Sequence, residues 1–237
     1  MLDEIKKFYE KTKIVKFNDD EGIAPITFVH VFHKHYPRLP SIKLPQVDVD
    51  GEFEGLLKSR KSVREFSEEP ISLTDLAKIL HSSRIVDPNR DPERRTYPSA
   101  GARFPVEIYL TSFNVNGLEK GAYHYDITQM KLEQLWKKDL GMYKEEIVSP
   151  YLRNPAAALI LTSVVPRSEV KYGYKAYPYS LIEVGHIAQN ILLSCCKYNV
   201  GACPVGGFVN NRVTEILDLT QDELPLYVIG LGRNINH

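Results

Sequence analysis

The chain has 237 residues, 43% of them hydrophobic, and its 30 basic and 30 acidic residues cancel to a formal net charge of zero. This length and apolar content suffice for a sizeable core. The balanced charge gives no electrostatic case for nucleic acid or an anionic membrane as partner, so any anion site must be local. No apolar run reaches the ~18 residues that a membrane span needs.

The cysteines and histidines predict neither disulfides nor a metal site. Three cysteines include the adjacent pair Cys195-Cys196 and no CxxC spacing, which is typical of reduced thiols. We therefore expect a cytoplasmic protein without metal. Three histidines, at 30, 33 and 35, lack a carboxylate or cysteine at ligand spacing. His186 is surrounded by apolar residues and predicts a core histidine.

The N-terminal half predicts mainly short elements. Residues 1–50 indicate a helix and then a proline-punctuated extended arm, of the kind that wraps a neighbour or a partner subunit. A short helix at 52–59 follows. Ser72, with an acid three residues later, is typical of an N-cap for a helix at 73–82. The charged residues 84–97 predict a loop, and the β-branched and aromatic residues of 105–113 predict a strand.

The C-terminal half predicts strands and helices without strict βαβ alternation, which favours an α+β fold. The predicted strands are 121–125, 131–135, 156–165 and 224–231, and the predicted helices are 140–149, 179–198 and 211–219. The strand 156–165 is nearly all apolar, as expected of burial on both faces. The helix 179–198 is apolar on more than one side, which predicts burial, and Gly201 is its predicted stop.

The segment Arg60-Lys61-Ser62-Val63-Arg64 is the first candidate site, with three cations and a hydroxyl in five residues. Guanidinium groups bind phosphate in a forked manner and serine adds a donor. A solvated basic turn is the alternative. The common glycine-rich nucleotide-binding loops are absent from the sequence.

Two further segments could lie against a planar ligand. In residues 98–101 a proline fixes φ, and small residues allow close backbone approach. The alternative is a tight turn that starts the next strand. In residues 204–207 adjacent glycines expose backbone N–H groups that could stabilise charge on a ligand. The alternative is a flexible connector.

Lys171-Tyr172 and Arg233 are the remaining candidates. A lysine in a partly buried pocket can act as a general base, and a tyrosine can donate or relay a proton. A surface lysine beside a packing tyrosine is the alternative. Arg233 could complete a phosphate site with Arg60 and Arg64, or be a simple C-terminal charge.

Several segments of the sequence, taken together and in order, resemble one family. They are RKSVREF, TYPSAGARFPVEIYL, GAYHYD, KYG, GHIAQN, GACPVGGF and IGLGR. They are similar to the nitroreductase superfamily, specifically its SagB/McbC-type branch of thiazole/oxazole-forming dehydrogenases. The similarity covers about residues 37–233, and the arm YPRLPSIKLP is similar to the segment that precedes the domain in that branch. Each motif alone is weak, but together, in register, they are specific.

The resemblance implies an α-β-α sandwich with a mainly antiparallel central sheet, working as a homodimer with FMN at the dimer interface. It implies an N-terminal helix and arm over residues 1–50 and an FMN-binding domain over residues 51–237. It implies that the FMN phosphate and ribityl chain are held by Arg60, Lys61, Ser62, Arg64 and Arg233. The ring would be contacted by Pro98, Ser99, Ala100 and Gly101, typically from the partner subunit, and by Pro204, Val205, Gly206 and Gly207, with Gln189 bordering the site.

Lys171 and Tyr172 match the Lys-Tyr pair that this branch uses for catalysis. Ala102 stands where many simple nitroreductases carry Asn, which agrees with the branch, whereas Pro178 stands where the branch often has Arg. The resemblance thus implies oxidation of a thiazoline or oxazoline ring in a peptide. A hydride would pass to flavin N5 while Lys171, aided by Tyr172, removes the paired proton.

Two alternatives remain open from the sequence. One is an NAD(P)H-dependent reductase of nitro compounds or quinones. The other is a flavin-binding scaffold without its own chemistry, serving a peptide-modifying complex. The chain carries no ATP-dependent cyclisation motif, so ring formation would require a cyclodehydratase partner.

Overall fold

The computed structural model describes residues 2–17 and 33–235. The first part of the predicted arm, residues 18–32 with the histidine at 30, lies outside the described residues. The helices are α1 (Leu2–Thr12), α2 (Glu52–Ser59), α3 (Leu73–Leu80), α4 (Lys144–Val148), α5 (Pro166–Tyr172), α6 (Ala176–Lys197) and α7 (Asn210–Ile216). The strands are β1 (Ile71–Ser72), β2 (Ile85–Asp87), β3 (Arg94–Arg95), β4 (Val106–Ser112), β5 (Val115–Asn116), β6 (Gly121–Asp126), β7 (Lys131–Lys137), β8 (Ala157–Val164), β9 (Val200–Val205) and β10 (Glu223–Arg233).

Six strands form the central sheet, in the order β7-β6-β4-β8-β10-β9, and every adjacent pair is antiparallel. Two small pairs lie beside it, β1 with β5 and β2 with β3. The central position of β8 explains its nearly continuous apolar sequence, because both of its faces are buried. The predicted α+β class with a central antiparallel sheet is confirmed.

Helices cover both faces of the sheet. Leu159 and Leu161 of β8 pack into the cluster that contains the buried side of α6, with α3 behind it. Ala158 and Ile160 point to the opposite face and join the cluster that contains residues of α4 and α7. Because successive side chains of a strand alternate between faces, β8 contributes to both clusters. The layers are those of the predicted α-β-α sandwich.

Several local predictions are confirmed and others are wrong. The Ser72 hydroxyl accepts the backbone N–H of Asp75 at 3.0 Å and caps α3 as expected. Gly201 does not end the long helix. The helix ends at Lys197, and Asn199, with φ 58°, makes the left-handed turn, so that Gly201 lies within β9.

Three other predicted segments differ from the structure. Residues 84–97 are not all loop, because β2 and β3 pair within them. The predicted helix 140–149 is a 3₁₀ turn followed by the five-residue α4. The candidate segment 204–207 is not a flexible connector throughout, since residues 204 and 205 belong to β9.

The long helix α6 is buried on one side only. Ile187 and Ile191 are fully buried against the sheet, whereas Leu181 and Ile182 are 43% and 57% exposed. His186 is exposed, so its prediction as a core histidine is wrong. The sheet therefore buries only one side of α6, although this helix carries apolar residues on several sides.

The N-terminal helix packs onto the body of the protein. Ile5 and Tyr9 join a cluster with Val165 and Leu224. The Tyr9 hydroxyl donates to the Pro225 carbonyl at 3.1 Å. Residues 33–50 beyond it are exposed and form no helix or strand. Across the described ranges, no helix has the length and apolarity needed to cross a membrane.

Candidate functional site

The basic segment 60–64 runs beside the edge strand β9. The Val63 backbone N–H donates to the Ala202 carbonyl at 2.9 Å. Burial raises the pKa of the Cys203 thiol, and the Arg64 charge and the Ser62 hydroxyl oppose that rise. Two segments that are 140 residues apart in sequence, the basic segment and the start of GACPVGGF, are therefore neighbours.

A cavity of about 510 Å³ opens along this segment. It is lined by residues 61–65 together with Asn199, Asn234 and Ile235. In the part of the chain that the structure describes, Arg60, Lys61 and Arg64 form no ion pair with a carboxylate. A phosphate group would suit this cavity, because cations without a carboxylate partner, a serine hydroxyl and two side-chain amides surround it.

Arg233 has a partner of its own within the chain. Its guanidinium donates to Asp75 Oδ2 at 2.8 Å, and its Nε donates to the Pro70 carbonyl at 3.4 Å. Burial would raise the pKa of the Asp75 carboxyl, but the Ser72 hydroxyl and Arg233 outweigh it and hold that pKa below its usual value. The Arg233 charge is thus directed to α3 rather than to Arg60 and Arg64.

The glycine pair at the end of β9 leaves open space at the edge of the sheet. Gly206 is exposed, and a Cβ added to it would meet nothing within 4 Å. A Cβ on Gly207 would lie 3.5 Å from Ile14 Cδ1. The segment 60–64 covers the outer edge of β9 at Ala202, whereas the space at Gly206 is open, so a flat ligand could lie against these glycines beyond that contact.

The second candidate group forms where the loop 98–101 meets α5. Gly101 has φ 57°, and a Cβ there would lie 2.7 Å from Lys171 Nζ and closer still to Tyr172 Oη. Lys171 Nζ is 5.4 Å from the centre of the Tyr172 ring, which packs edge-on against Tyr179 with centroids 5.1 Å apart. The predicted Lys-Tyr pair and the predicted ligand loop are therefore in contact. Lys171 is exposed in the single chain, not partly buried as expected.

The loop is held in an unfavourable backbone conformation. Ala102 and Phe104 both have positive φ, 52° and 44°, a region that costs roughly 1–2 kcal/mol for a residue with a Cβ. The Ser99 hydroxyl accepts the Phe104 N–H at 2.9 Å, and the Arg167 guanidinium donates to the Phe104 carbonyl at 3.2 Å. Arg95 stacks over the Phe104 ring at 4.2 Å. These contacts fix the shape that brings Gly101 to the Lys-Tyr pair.

Glu183 lies beneath this loop, and the sequence reasoning did not find it. It is 2% exposed, and neither of its carboxylate oxygens has a hydrogen-bond partner among the described residues. Burial raises the pKa of this carboxyl to about 7, opposed by the Ser99 hydroxyl and the Arg95 charge. The available signal was the helical spacing of Glu183, three residues after Ser180 and four before Ile187, both of which lie on the buried side of α6.

Gln189 lies on the exposed side of α6. Its neighbour Asn190 points the other way and donates to the Thr96 carbonyl at 3.2 Å, tying α6 to the segment ahead of the loop. No group of three or more His, Cys, Asp or Glu side chains within residues 2–17 and 33–235 is placed to hold a metal ion.

The two candidate groups are separated across the sheet. The first lies at the outer edge of β9, whereas the loop leads into β4, three strand positions away in the order β4-β8-β10-β9. At about 4.8 Å per strand this is ~14 Å. Helix α6 packs over the same face and contacts β4, β8, β10 and β9. A single chain does not bring Gly206 and Gly101 to one point.

Comparison with known proteins identifies the family. The nitroreductase family model matches residues 57–233. The chain is 32% identical over 196 residues to "Putative nitroreductase MJ1384" of Methanocaldococcus jannaschii, covering 82% of this chain and 96% of that protein. It is 23% identical over 178 residues to "Microcin B17-processing protein McbC" of Escherichia coli, covering 70% of this chain and 63% of that protein.

A solved structure shares the fold. It is a chain of the E. coli microcin synthetase McbBCD complex with truncated pro-MccB17 bound, with a TM-score of 0.78 and 22% identity, and the match covers 100% of this chain and 93% of that one. The predicted resemblance to the SagB/McbC-type branch is confirmed by these similarities. The protein described here belongs to the nitroreductase family.

Proposed function

We propose that this oxidoreductase is FMN-dependent and oxidises thiazoline or oxazoline rings in a peptide to thiazoles or oxazoles. The observation that carries the proposal is the contact of Lys171 and Tyr172 with Gly101, because it places a candidate base and a candidate proton relay against a candidate flavin loop. Family members are generally flavin-dependent.

The residues present fit FMN. Its phosphate and ribityl chain would be held by Lys61, Ser62 and Arg64, which line the cavity beside β9, and by Arg60, which precedes them in the chain. The open edge at Gly206-Gly207 would take one side of the flat ring. Arg233 would join the phosphate site only by exchanging its contact with Asp75. Bound FMN would supply the acceptor for the two electrons that leave the substrate.

The separation of the two groups supports a homodimer. A ring at Gly206-Gly207 is ~14 Å across the sheet from the 98–101 loop of its own chain. A second copy related by a two-fold axis would present its own loop instead, and with it its own Lys171 and Tyr172, which touch that loop. Each site would then combine a phosphate-binding segment from one subunit with a catalytic pair from the other.

Lys171 and Tyr172 would accept and transfer the proton that the substrate loses. Lys171 Nζ would accept the proton lost from one ring carbon, and Tyr172 Oη, beside it, would hold or relay that proton. The hydrogen on the adjacent ring carbon would leave with the electron pair as a hydride, for which bound FMN would supply the acceptor. The packing of Tyr172 on Tyr179 fixes the direction of the hydroxyl. Because Gly101 has no Cβ, it leaves open the space where both polar atoms meet, and it adopts φ 57° without steric cost.

The similarity to McbC supports a peptide substrate and a partner. That relative is named for microcin B17 processing, and the chain of shared fold was solved within a synthetase complex. Since this sequence has no ATP-dependent cyclisation motif, we propose that a separate cyclodehydratase forms the azoline ring.

The test is turnover of an azoline-containing peptide by FMN-loaded Lys171→Ala and Tyr172→Phe. Loss of general-base catalysis costs about 10²–10⁴-fold, so we expect at least a hundredfold fall for Lys171→Ala with bound FMN unchanged. Glu169→Gln, on the same helix, is the control. Wild-type turnover in both pair variants would refute their assigned roles.

A second candidate is an NAD(P)H-dependent reductase of nitro compounds or quinones. The 32% identity to "Putative nitroreductase MJ1384" over most of both chains favours it. Rapid bleaching of the bound flavin by NADH or NADPH, with turnover of a quinone, would support this candidate. An unreactive flavin with either nucleotide would favour the azoline dehydrogenase.

A further inference from the structure

Two arginine side chains connect the loop 98–101, with its continuation to Phe104, to α5. Arg103 Nε, on the loop, donates to the backbone carbonyl of Arg167 at 2.6 Å. Arg167 Nη1, on α5, donates to the Phe104 carbonyl at 3.2 Å. Each arginine thus binds the backbone of the other's segment, and we call Arg103 and Arg167 the arginine clasp.

Glu107 connects the arginine clasp to the central sheet. It lies on β4, the strand into which the loop leads, and its Oε1 accepts a second hydrogen bond from Arg167 Nη1. Its Oε2 lies 3.1 Å from His124 Nε2, and His124 Nδ1 in turn lies 3.1 Å from Glu133 Oε2. Burial would raise the pKa of the Glu107 carboxyl, but His124 and Arg167 outweigh it and hold that pKa below its usual value. A charged carboxylate therefore fixes the Arg167 guanidinium from the side of the sheet.

The loop needs this connection because its own backbone conformation is unfavourable. Ala102 and Phe104 have positive φ, which is costly for residues with a Cβ. The Ser99 hydroxyl and the Arg95 guanidinium also contact Phe104, but both belong to the same stretch of chain, residues 95–104. These contacts shape the loop, whereas the arginine clasp sets its distance from α5.

The arginine clasp lies close to the Lys-Tyr pair on both elements. On α5, Arg167 precedes Lys171 by four residues, so both side chains start from one side of the helix, about 6 Å apart along its axis. On the loop, Arg103 follows Gly101 by two residues. A loop freed from the clasp would therefore move where Gly101 meets Lys171 and Tyr172.

We propose that the arginine clasp and Glu107 are positioning residues, which hold the loop against α5 so that Gly101 meets Lys171 and Tyr172. What the Lys-Tyr pair does there rests on the proposed function. The connection of the loop to α5 concerns this chain alone and can be tested without a cofactor or a substrate.

The first experiment measures hydrogen–deuterium exchange of peptides covering residues 97–106 in flavin-free protein. Arg167→Ala and Arg103→Ala each remove one hydrogen bond between the loop and α5. A net hydrogen bond corresponds to about a fivefold change in an equilibrium constant, so we expect the loop to exchange about fivefold faster in each variant. Glu107→Gln, which keeps the size but not the charge of the carboxylate, should give a smaller increase.

The matched control is Arg212→Ala. Arg212 also contacts two carboxylates, those of Glu146 and Glu215, but it lies on α7, on the opposite face of the sheet from the loop. Its replacement should leave the exchange of residues 97–106 at the wild-type rate.

The second experiment measures azoline-peptide turnover by FMN-loaded protein. Arg167→Ala should lower kcat by about ten- to a hundredfold with little change in KM, because a misplacement of about 1 Å near the reacting groups can cost about a hundredfold in rate. Arg167→Lys should recover most of this loss, because a single nitrogen of Arg167 serves both acceptors and an ammonium also carries several donors. Arg167→Gln, which has no charge, should not recover it.

The outcomes separate this inference from the proposed function. If the wild type turned over no azoline peptide, the proposed function would fail, while the exchange data would still decide whether the clasp holds the loop. If Arg167→Ala failed to fold, Arg103→Ala, whose side chain is exposed, would serve for both measurements. Wild-type loop exchange in both clasp variants, or an unchanged kcat in a variant whose loop exchanges faster, would overturn the inference.

Discussion

Substituting Gly101 by alanine tests the contact on which the proposed function rests. The added Cβ would lie 2.7 Å from Lys171 Nζ and closer to Tyr172 Oη, where about 3.5 Å is the ordinary separation of such atoms. Both polar groups must therefore move by about 1 Å or the loop must shift. Alanine at φ 57° adds roughly 1–2 kcal/mol of backbone cost.

The expected result is a large loss of activity with a modest loss of stability. A misplacement of about 1 Å at a catalytic group can cost about a hundredfold in rate. The melting temperature should fall by about 2–8 °C, at about 2–4 °C per kcal/mol for a chain of this size. The assays are azoline-peptide turnover by FMN-loaded protein and thermal unfolding by circular dichroism.

The matched control is Gly55→Ala. A Cβ there meets nothing within 4 Å, and Gly55 lies inside α2, where alanine is favoured by about 1 kcal/mol. This variant should be as active as wild type and slightly more stable. Wild-type turnover by Gly101→Ala would refute the catalytic contact.

Three other predictions concern the surrounding residues. The pKa of Glu183 rises from 4.5 to about 7 on folding, so the wild type loses about 3 kcal/mol of stability as the pH rises from about 4.5 to about 7 and beyond. Glu183→Gln should remove this loss, which is measured as the pH dependence of the free energy of urea unfolding. The same pH dependence in the wild type and in Glu183→Gln would contradict the prediction. Ser72→Ala removes the N-cap of α3 and should destabilise by about 1 kcal/mol in the same assay. Asp75→Asn releases the Arg233 guanidinium and should tighten FMN binding several-fold if Arg233 is a phosphate cation; an unchanged Kd would exclude it from that role.

Local patterns predicted most of the fold, because the signals lie within a few residues of one another. The Ser72 cap and the apolar run of β8 each depend on a short stretch of sequence and on one burial rule. The end of α6 was predicted to within one residue, but Gly201 was wrong as its stop, because a glycine is only one way to turn the chain. Here Asn199 adopts the left-handed conformation instead.

The sequence alone identified the candidate residues, but it could not indicate which of them contact one another. Nothing in the local pattern indicates that Arg233 meets Asp75, or that Lys171 and Tyr172 meet Gly101 across about 70 residues of chain. These contacts depend on how α3, α5 and the sheet pack together. Glu183 was missed because its character comes from burial under a loop, which a linear pattern does not show.

The absorption spectrum of the purified protein tests the central claim most directly. We predict a yellow protein with flavin absorption bands, from which heat denaturation releases FMN, and which loses FMN affinity when Arg60 and Arg64 are both replaced by alanine. A colourless protein that takes up no FMN on incubation would contradict the assignment of this site to a flavin.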